Sequence, residues 1–220
     1  MDSNYLLNLF LVIVPVLLCI VAKVSVLSHW KALLAAVGIV GNLSYLVKLR
    51  FLKMQLIRYP EAALAQQLPA SAVLYCFTLP LAAILAYLYL NKTFPGNKLD
   101  QYTLAFSNLL MGTCIAIIFF AYTKSYPVFT FASLLLLLLF VEYKGKIRFM
   151  FRFYRTWGLF LVLYLLAALV QGAGSMTYDT VRTLEFNIAQ VPFENYFLLG
   201  VMLLALVFLF EVFKGKRDVA

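Results

Sequence analysis

Charge is scarce in this chain of 220 residues: nine acidic and 18 basic side chains make up 12% of it, against 65% hydrophobic residues. About 25% of the residues of a soluble domain are charged, so a water-exposed globular fold is excluded. Histidine is nearly absent too, with His29 alone, and the three cysteines, Cys19, Cys76 and Cys114, have no paired spacing. That excludes a disulfide framework and a Cys/His metal site, and the cysteines are expected to be small apolar packing residues. No G-x-G-x-x-G follows a strand-like segment, and Gly38 and Gly41 lie inside an apolar run where they serve close helix packing. No dinucleotide cofactor or metal is expected. The amino end, Met1-Asp2-Ser3-Asn4, lacks the positive region of a signal peptide, and no small-residue cleavage site precedes Lys23, so the first apolar segment is expected to remain attached.

What is abundant is uncharged apolar sequence. Neutral runs cover residues 3–22, 32–47, 62–91, 101–123, 125–141, 156–178 and 195–210. About 20 apolar residues cross the hydrocarbon of a bilayer, and shorter runs extend by snorkelling of flanking Lys and Arg. The expectation is an all-α membrane protein of seven transmembrane helices, the third at 69–89 because Pro69 divides the long third run. The net charge of +9 does not imply nucleic acid, because the basic residues flank the spans, where they meet lipid headgroups. Six lie on the amino-terminal side (Lys48, Arg50, Lys53, Arg58, Lys124, Arg182), and the other twelve lie opposite. The positive-inside rule places the amino terminus outside and the carboxyl terminus in the cytoplasm of a multi-pass inner-membrane protein, although the cluster from Lys48 to Arg58 opposes it.

An internal repeat organises the chain. Gln67-Leu68-Pro69-Ala70-Ser71-Ala72 matches Gln190-Val191-Pro192-Phe193-Glu194-Asn195 at an offset of 123, and Trp30-Lys31 matches Trp157-Gly158 at an offset of 127. Two three-helix units, 1–92 and 125–220, joined by a linking span at 100–124, explain both. An offset of four spans makes the units parallel, so Pro69 and Pro192 fall on the same side. Spans three and seven are expected to meet near the repeat axis and to line the main cavity with their amino-terminal halves. The connector 50–67 reads as an interfacial amphipathic segment. Its counterpart at 175–186 carries Asp179, Arg182 and Glu185 at i, i+3 spacing, which also fits a solvated salt-bridged turn.

Glu194 is the leading candidate for chemistry. A carboxylate at the edge of hydrocarbon is costly and marks a functional site by default. A structural alternative stands beside it, since Pro192 suits the start of a helix and Glu194 complements the positive end of its dipole.

In these motifs the chain resembles the small integral-membrane lycopene cyclases of bacteria in their fused form. The resemblance rests on Tyr5-Leu6-Leu7-Asn8-Leu9-Phe10 through Pro15, on Lys124-Ser125-Tyr126-Pro127 through Lys144, and on Asn187 through Tyr196 with Phe210-Glu211. Relatives open the last helix of each unit with Pro-x-Glu-Glu or Pro-x-Glu-Asp. Here the second motif ends in Asn195, the first has Ser71 and Ala72 in place of both acids, and no Trp-Asp pair matches around Leu43-Ser44. The resemblance implies proton-initiated cyclisation of an acyclic carotenoid end group without net redox, with Glu194 catalytic. It also implies a substrate-binding set of Pro192, Asn195, Tyr196, Phe197, Pro69 and Ser71, and no cofactor, in contrast to flavin-type cyclases. Tyr196 and Phe197 would stabilise the cation through their ring faces. The partners implied are the bilayer and a carotenoid or other isoprenoid, with a homo- or hetero-oligomer left open. The alternative is a non-catalytic relative that binds an isoprenoid or serves membrane assembly.

Overall fold

The computed structural model describes residues 3–59, 68–94, 102–143, 149–171 and 177–215. They form seven α-helices: α1 (Ser3–Val21), α2 (Trp30–Lys53), α3 (Ala70–Thr93), α4 (Thr103–Phe120), α5 (Ser125–Tyr143), α6 (Met150–Gln171) and α7 (Phe193–Gly215). Six of them, α2 to α7, are long and apolar enough to cross a bilayer, and the apolar stretch Asn8–Val21 of α1 is shorter. Helices suit hydrocarbon because they satisfy every backbone polar group within the segment. Proline marks the start of three of them: Pro69 precedes α3, Pro192 precedes α7, and Pro127 sits in the first turn of α5. Fixed φ and a missing N–H cost nothing at those positions.

Helices α3 and α7 form the centre. They touch each other, α2 and α6 each pack against both, α1 lies on α3, α5 lies on α7, and α4 packs outside α5. Side chains confirm the burial: Ala82, Ile84 and Tyr87 of α3 and Leu203, Leu204 and Leu206 of α7 are fully enclosed. On α4, by contrast, Leu109 is 68% and Phe120 84% exposed, as expected of a helix facing lipid. Two glycines permit close approach. A Cβ on Gly41 of α2 would stand 2.4 Å from the Phe77 ring of α3, and one on Gly200 of α7 would stand 2.7 Å from the Trp157 indole of α6. Small residues at helix crossings substitute for the hydrophobic driving force that lipid does not supply.

The connectors differ from the amphipathic segment expected at 50–67. Residues 50–53 continue α2, and β1 (Ile57–Arg58) then pairs antiparallel with β2 (Thr177–Tyr178), Ile57 opposite Tyr178; residues 60–67 lie outside the described part. Asp179 donates its N–H to Leu56 O at 3.0 Å, and Arg182 Nη1 donates to Met54 O at 2.7 Å. The two connectors are thus laced into one cap over the bundle. Within it Asp179 and Arg182 form a salt-bridged turn, Oδ2 to Nε 3.3 Å, whereas Glu185 departs from that helical spacing and reaches Lys124 at 2.7 Å. A hairpin of β3 (Asn187–Ile188) and β4 (Val191–Pro192) leads into α7, its two turn residues Ala189 and Gln190 at φ 49° and 64°. Both values are positive, as a two-residue hairpin turn of the primed type requires.

Candidate functional site

Under the cap lies a cavity of about 390 Å³. Its long walls are α2 (Val40, Leu43, Val47), α5 (Phe129, Leu137) and α7 (Leu198, Met202, Ala205), with α3 and α6 closing the back. The α7 positions 195, 198, 199, 202 and 205 recur at three and four residues, which keeps them on one helical face. The walls are almost wholly aliphatic and aromatic, and polar groups gather at the capped end: Lys48, Tyr75, Tyr126, Tyr164, Tyr178 and Asn195.

Asn195 is the hub of that end. Its Oδ1 accepts a hydrogen bond from the Tyr126 hydroxyl, and its Nδ2 donates to the Tyr178 oxygen and, at 3.4 Å, to that of Tyr164. Three elements, α5, β2 and α6, are thereby tied to the first turn of α7. Phe51 of α2 meets Tyr126 edge-on, with ring centroids 5.2 Å apart. Tyr178 lies in the cap outside the spans, where burial pushes its phenol well above the ordinary range, so it stays a neutral hydroxyl. Lys48 places its ammonium 4.7 Å from the centre of the Tyr75 ring.

Glu194 points elsewhere. Its residue is 0% exposed; Oε1 accepts the Leu184 N–H at 2.6 Å, and Oε2 is buried without a hydrogen-bond partner. The carboxylate therefore fastens the cap loop to the α7 amino end, and half of its bonding capacity is unused. It is absent from the cavity wall, while its neighbour Asn195 forms part of it.

The other residues of the sequence-derived set divide clearly. Pro192 is buried at the end of β4, and Pro69 is the N-cap of α3. Tyr196 donates its hydroxyl to Ile188 O at 3.0 Å and accepts the Trp157 indole N–H on its backbone oxygen at 3.2 Å. Phe197 packs among Phe131, Trp157 and Phe193. The backbone oxygen of Ser71 takes a bond from Asn8 Nδ2 at 3.4 Å. Of these residues Asn195 alone lines the cavity. Sequence reasoning passed over Lys48, Tyr75, Tyr126, Tyr164 and Tyr178. Their one common signal is a polar tip within or beside neutral runs, and Tyr126 already stood in the quoted Lys124-Ser125-Tyr126-Pro127 stretch. Among the described residues no group of three or more His, Cys, Asp or Glu side chains is placed to hold a metal.

The fold and the site define a helical bundle with six helices long and apolar enough to cross a membrane, and with an apolar cavity polar at one end. Residues 123–213, which cover α5, α6 and all but the last two residues of α7, match the family model described as lycopene cyclase. That segment is consistent with a lycopene cyclase domain, and the likeness supports a carotenoid-related, cyclase-like function. Neither the curated proteins nor the solved structures contain a match.

Proposed function

We propose that this protein takes the end group of a linear carotenoid into the cavity and closes a ring on it by proton transfer. The observation that carries the reading is Glu194: a fully buried carboxyl group with one unpartnered oxygen, one residue from the cavity wall and inside the matched family segment. A carboxylic acid in an apolar setting delivers a proton to the terminal alkene carbon, the carbocation adds to the neighbouring double bond, and loss of a proton from the adjacent carbon restores neutrality. The proton is returned, so the product is an isomer. Delivery requires the Glu194 side chain to leave Leu184 and turn towards Asn195 and the cavity, a local rearrangement at the α7 start. Ring faces around the cavity stabilise the cation.

A second reading, binding without turnover, is favoured by one observation: among the described residues no carboxylate lines the cavity. Expression in a lycopene-accumulating host separates the two. Cyclic carotenoids in the pigment extract support ring closure, and unchanged lycopene with co-purified pigment supports binding alone.

The packing pairs α1 on α3 with α5 on α7, and α2 and α6 on both central helices, support the parallel two-unit reading. The charge distribution supports an outside amino terminus, which puts the cap and the polar end of the cavity on the non-cytoplasmic side. A carboxyl-terminal reporter active only in the periplasm would refute that orientation.

A further inference from the structure

We propose that the capped end of the cavity is an anion site, and that the cavity binds a single-tailed lipid anion, an isoprenoid or acyl chain ending in phosphate or carboxylate, in competition with the polyene. The head group sits against Lys48, Tyr75, Tyr164 and Tyr178, and the tail runs along α2, α5 and α7. This goes beyond ring closure and does not depend on it.

Donors outnumber acceptors at the capped end. The amide of Asn195 is fully engaged: its oxygen accepts from Tyr126, and its nitrogen serves Tyr178 and Tyr164. Those two phenols accept from Asn195 and also bond each other, so one of their two protons remains to give. Tyr75 adds a third hydroxyl to the wall and Lys48 three N–H donors. Against them the wall offers little that accepts: two serines, Ser44 and Ser133, and no carboxylate. A cavity end with surplus donors and one cation calls for an acceptor-only, negatively charged oxygen group.

Lys48 is the decisive residue. A lysine five positions before α2 ends at Lys53 ordinarily snorkels to the headgroups. Here its ammonium lies over the Tyr75 ring on α3 and faces the cavity. No Asp or Glu among the described residues makes a salt bridge to it; the two ion pairs found there are Lys124 with Glu185 and Arg182 with Asp179. A ring face compensates only part of the cost of removing an ammonium from water. An anionic head group supplies the rest, and the aliphatic walls select a chain attached to it. Since that head group occupies the space beside Asn195, a polyene end and a lipid anion exclude each other.

The test uses the full-length protein in phosphatidylcholine nanodiscs with three radiolabelled probes: geranylgeranyl phosphate, geranylgeraniol and palmitate. Wild type should prefer the phosphate to the alcohol at least about tenfold, the scale of a charge-assisted hydrogen bond. Lys48→Met should remove that preference while changing alcohol binding less than about twofold, and Lys48→Arg should retain it. Palmitate binding with the same Lys48 dependence identifies an acyl source, and binding of the phosphate alone identifies an isoprenoid one. Equal affinity of wild type for phosphate and alcohol overturns the proposal, as does binding of neither, and both results require no variant. Lycopene conversion is followed in the same preparations. Conversion without anion preference sinks this inference and leaves ring closure standing, and anion preference without conversion does the reverse.

Discussion

The two proline-led helix starts, α3 after Pro69 and α7 after Pro192, share a backbone device and differ in what their first turns carry. At α3 the turn is Ala70-Ser71-Ala72, with no side-chain cap bond, and its link to a neighbour is Asn8 of α1, which donates to Ser71 O and accepts from Thr78. At α7 the same positions are Phe193, Glu194 and Asn195; one fastens the cap through Leu184, and the next gathers three tyrosines. The proline sets where a helix begins in both places, and the residues two and three positions later decide whether that beginning is only packed or is chemically equipped. In this chain the second start alone is equipped, and it lies within the segment that matches the family.

Disarming the equipped start carries the largest expected effect. Glu194→Gln keeps volume and an acceptor for Leu184 but removes the transferable proton. Ring closure in a lycopene-accumulating host is predicted to fall about 10²–10⁴-fold, with membrane accumulation unchanged. Equal pigment conversion by the variant and wild type would show that Glu194 only secures the helix start. The converse arm, Ser71→Glu with Ala72→Glu, asks whether the α3 start can be equipped; a gain of conversion in an otherwise silent chain indicates a competent scaffold.

The glycine contacts extend the comparison to packing. The Trp157 indole that faces Gly200 is held by its bond to Tyr196 O and is stacked on Phe153 at 5.7 Å, so it cannot yield. The Phe77 ring that faces Gly41 has no hydrogen bond to hold it. Gly200→Ala is therefore predicted to destabilise the protein by about 1–3 kcal/mol. For Gly41→Ala, ring movement and a gain in helix propensity of about 1 kcal/mol offset most of the clash. Thermal melting in detergent should rank the two variants in that order, and an inverted ranking refutes the account.

Much of this architecture was legible because a bilayer imposes length and neutrality on every span. The starts at Pro69 and Pro192 could be read directly, since proline is tolerated there by its own covalent structure. What could not be read was direction. Glu194 and Asn195 are adjacent in sequence, but successive residues on a helix point about 100° apart, so one faces the cap loop and the other the cavity. Similarly, nothing local in Ile57-Arg58 or Thr177-Tyr178 announces a strand; those residues pair because helices 120 residues apart in the chain deliver them to the same place. The tyrosine cluster is assembled from α3, α5, α6 and β2, and no sequence window contains it.

Removing one spoke tests the hub. Tyr126→Phe takes the donor from Asn195 Oδ1 and leaves a buried acceptor unpaired, at a predicted cost of about 1–2 kcal/mol. Melting of this variant should fall below that of wild type while α7 itself persists. An unchanged melting temperature would mean that the amide finds water or another partner and that the hub does not bind α5 to α7.

The smallest expected effect is electrostatic and lies at the rim of the cap. Lys124, just before α5, bonds Glu185 at 2.7 Å, and this hydrogen bond, together with the lysine's charge, holds the Glu185 carboxyl below its ordinary range. A carboxyl group whose folded value is depressed stabilises the fold above its unfolded value, near 4.5, and loses that contribution as pH falls through the lower, folded value. Both partners are solvent-accessible, so the effect is small and fades with added salt. Amide exchange in residues 177–192 should therefore speed up slightly as pH drops through that acidic window, after correction for the intrinsic exchange rate. Glu185→Gln should exchange at the faster rate throughout and lose that pH dependence. Should the variant keep the wild-type pH profile, the Lys124–Glu185 pair adds nothing to the cap, and its attachment rests on the strand pairing and on the bonds of Asp179, Arg182, Glu194 and Asn195.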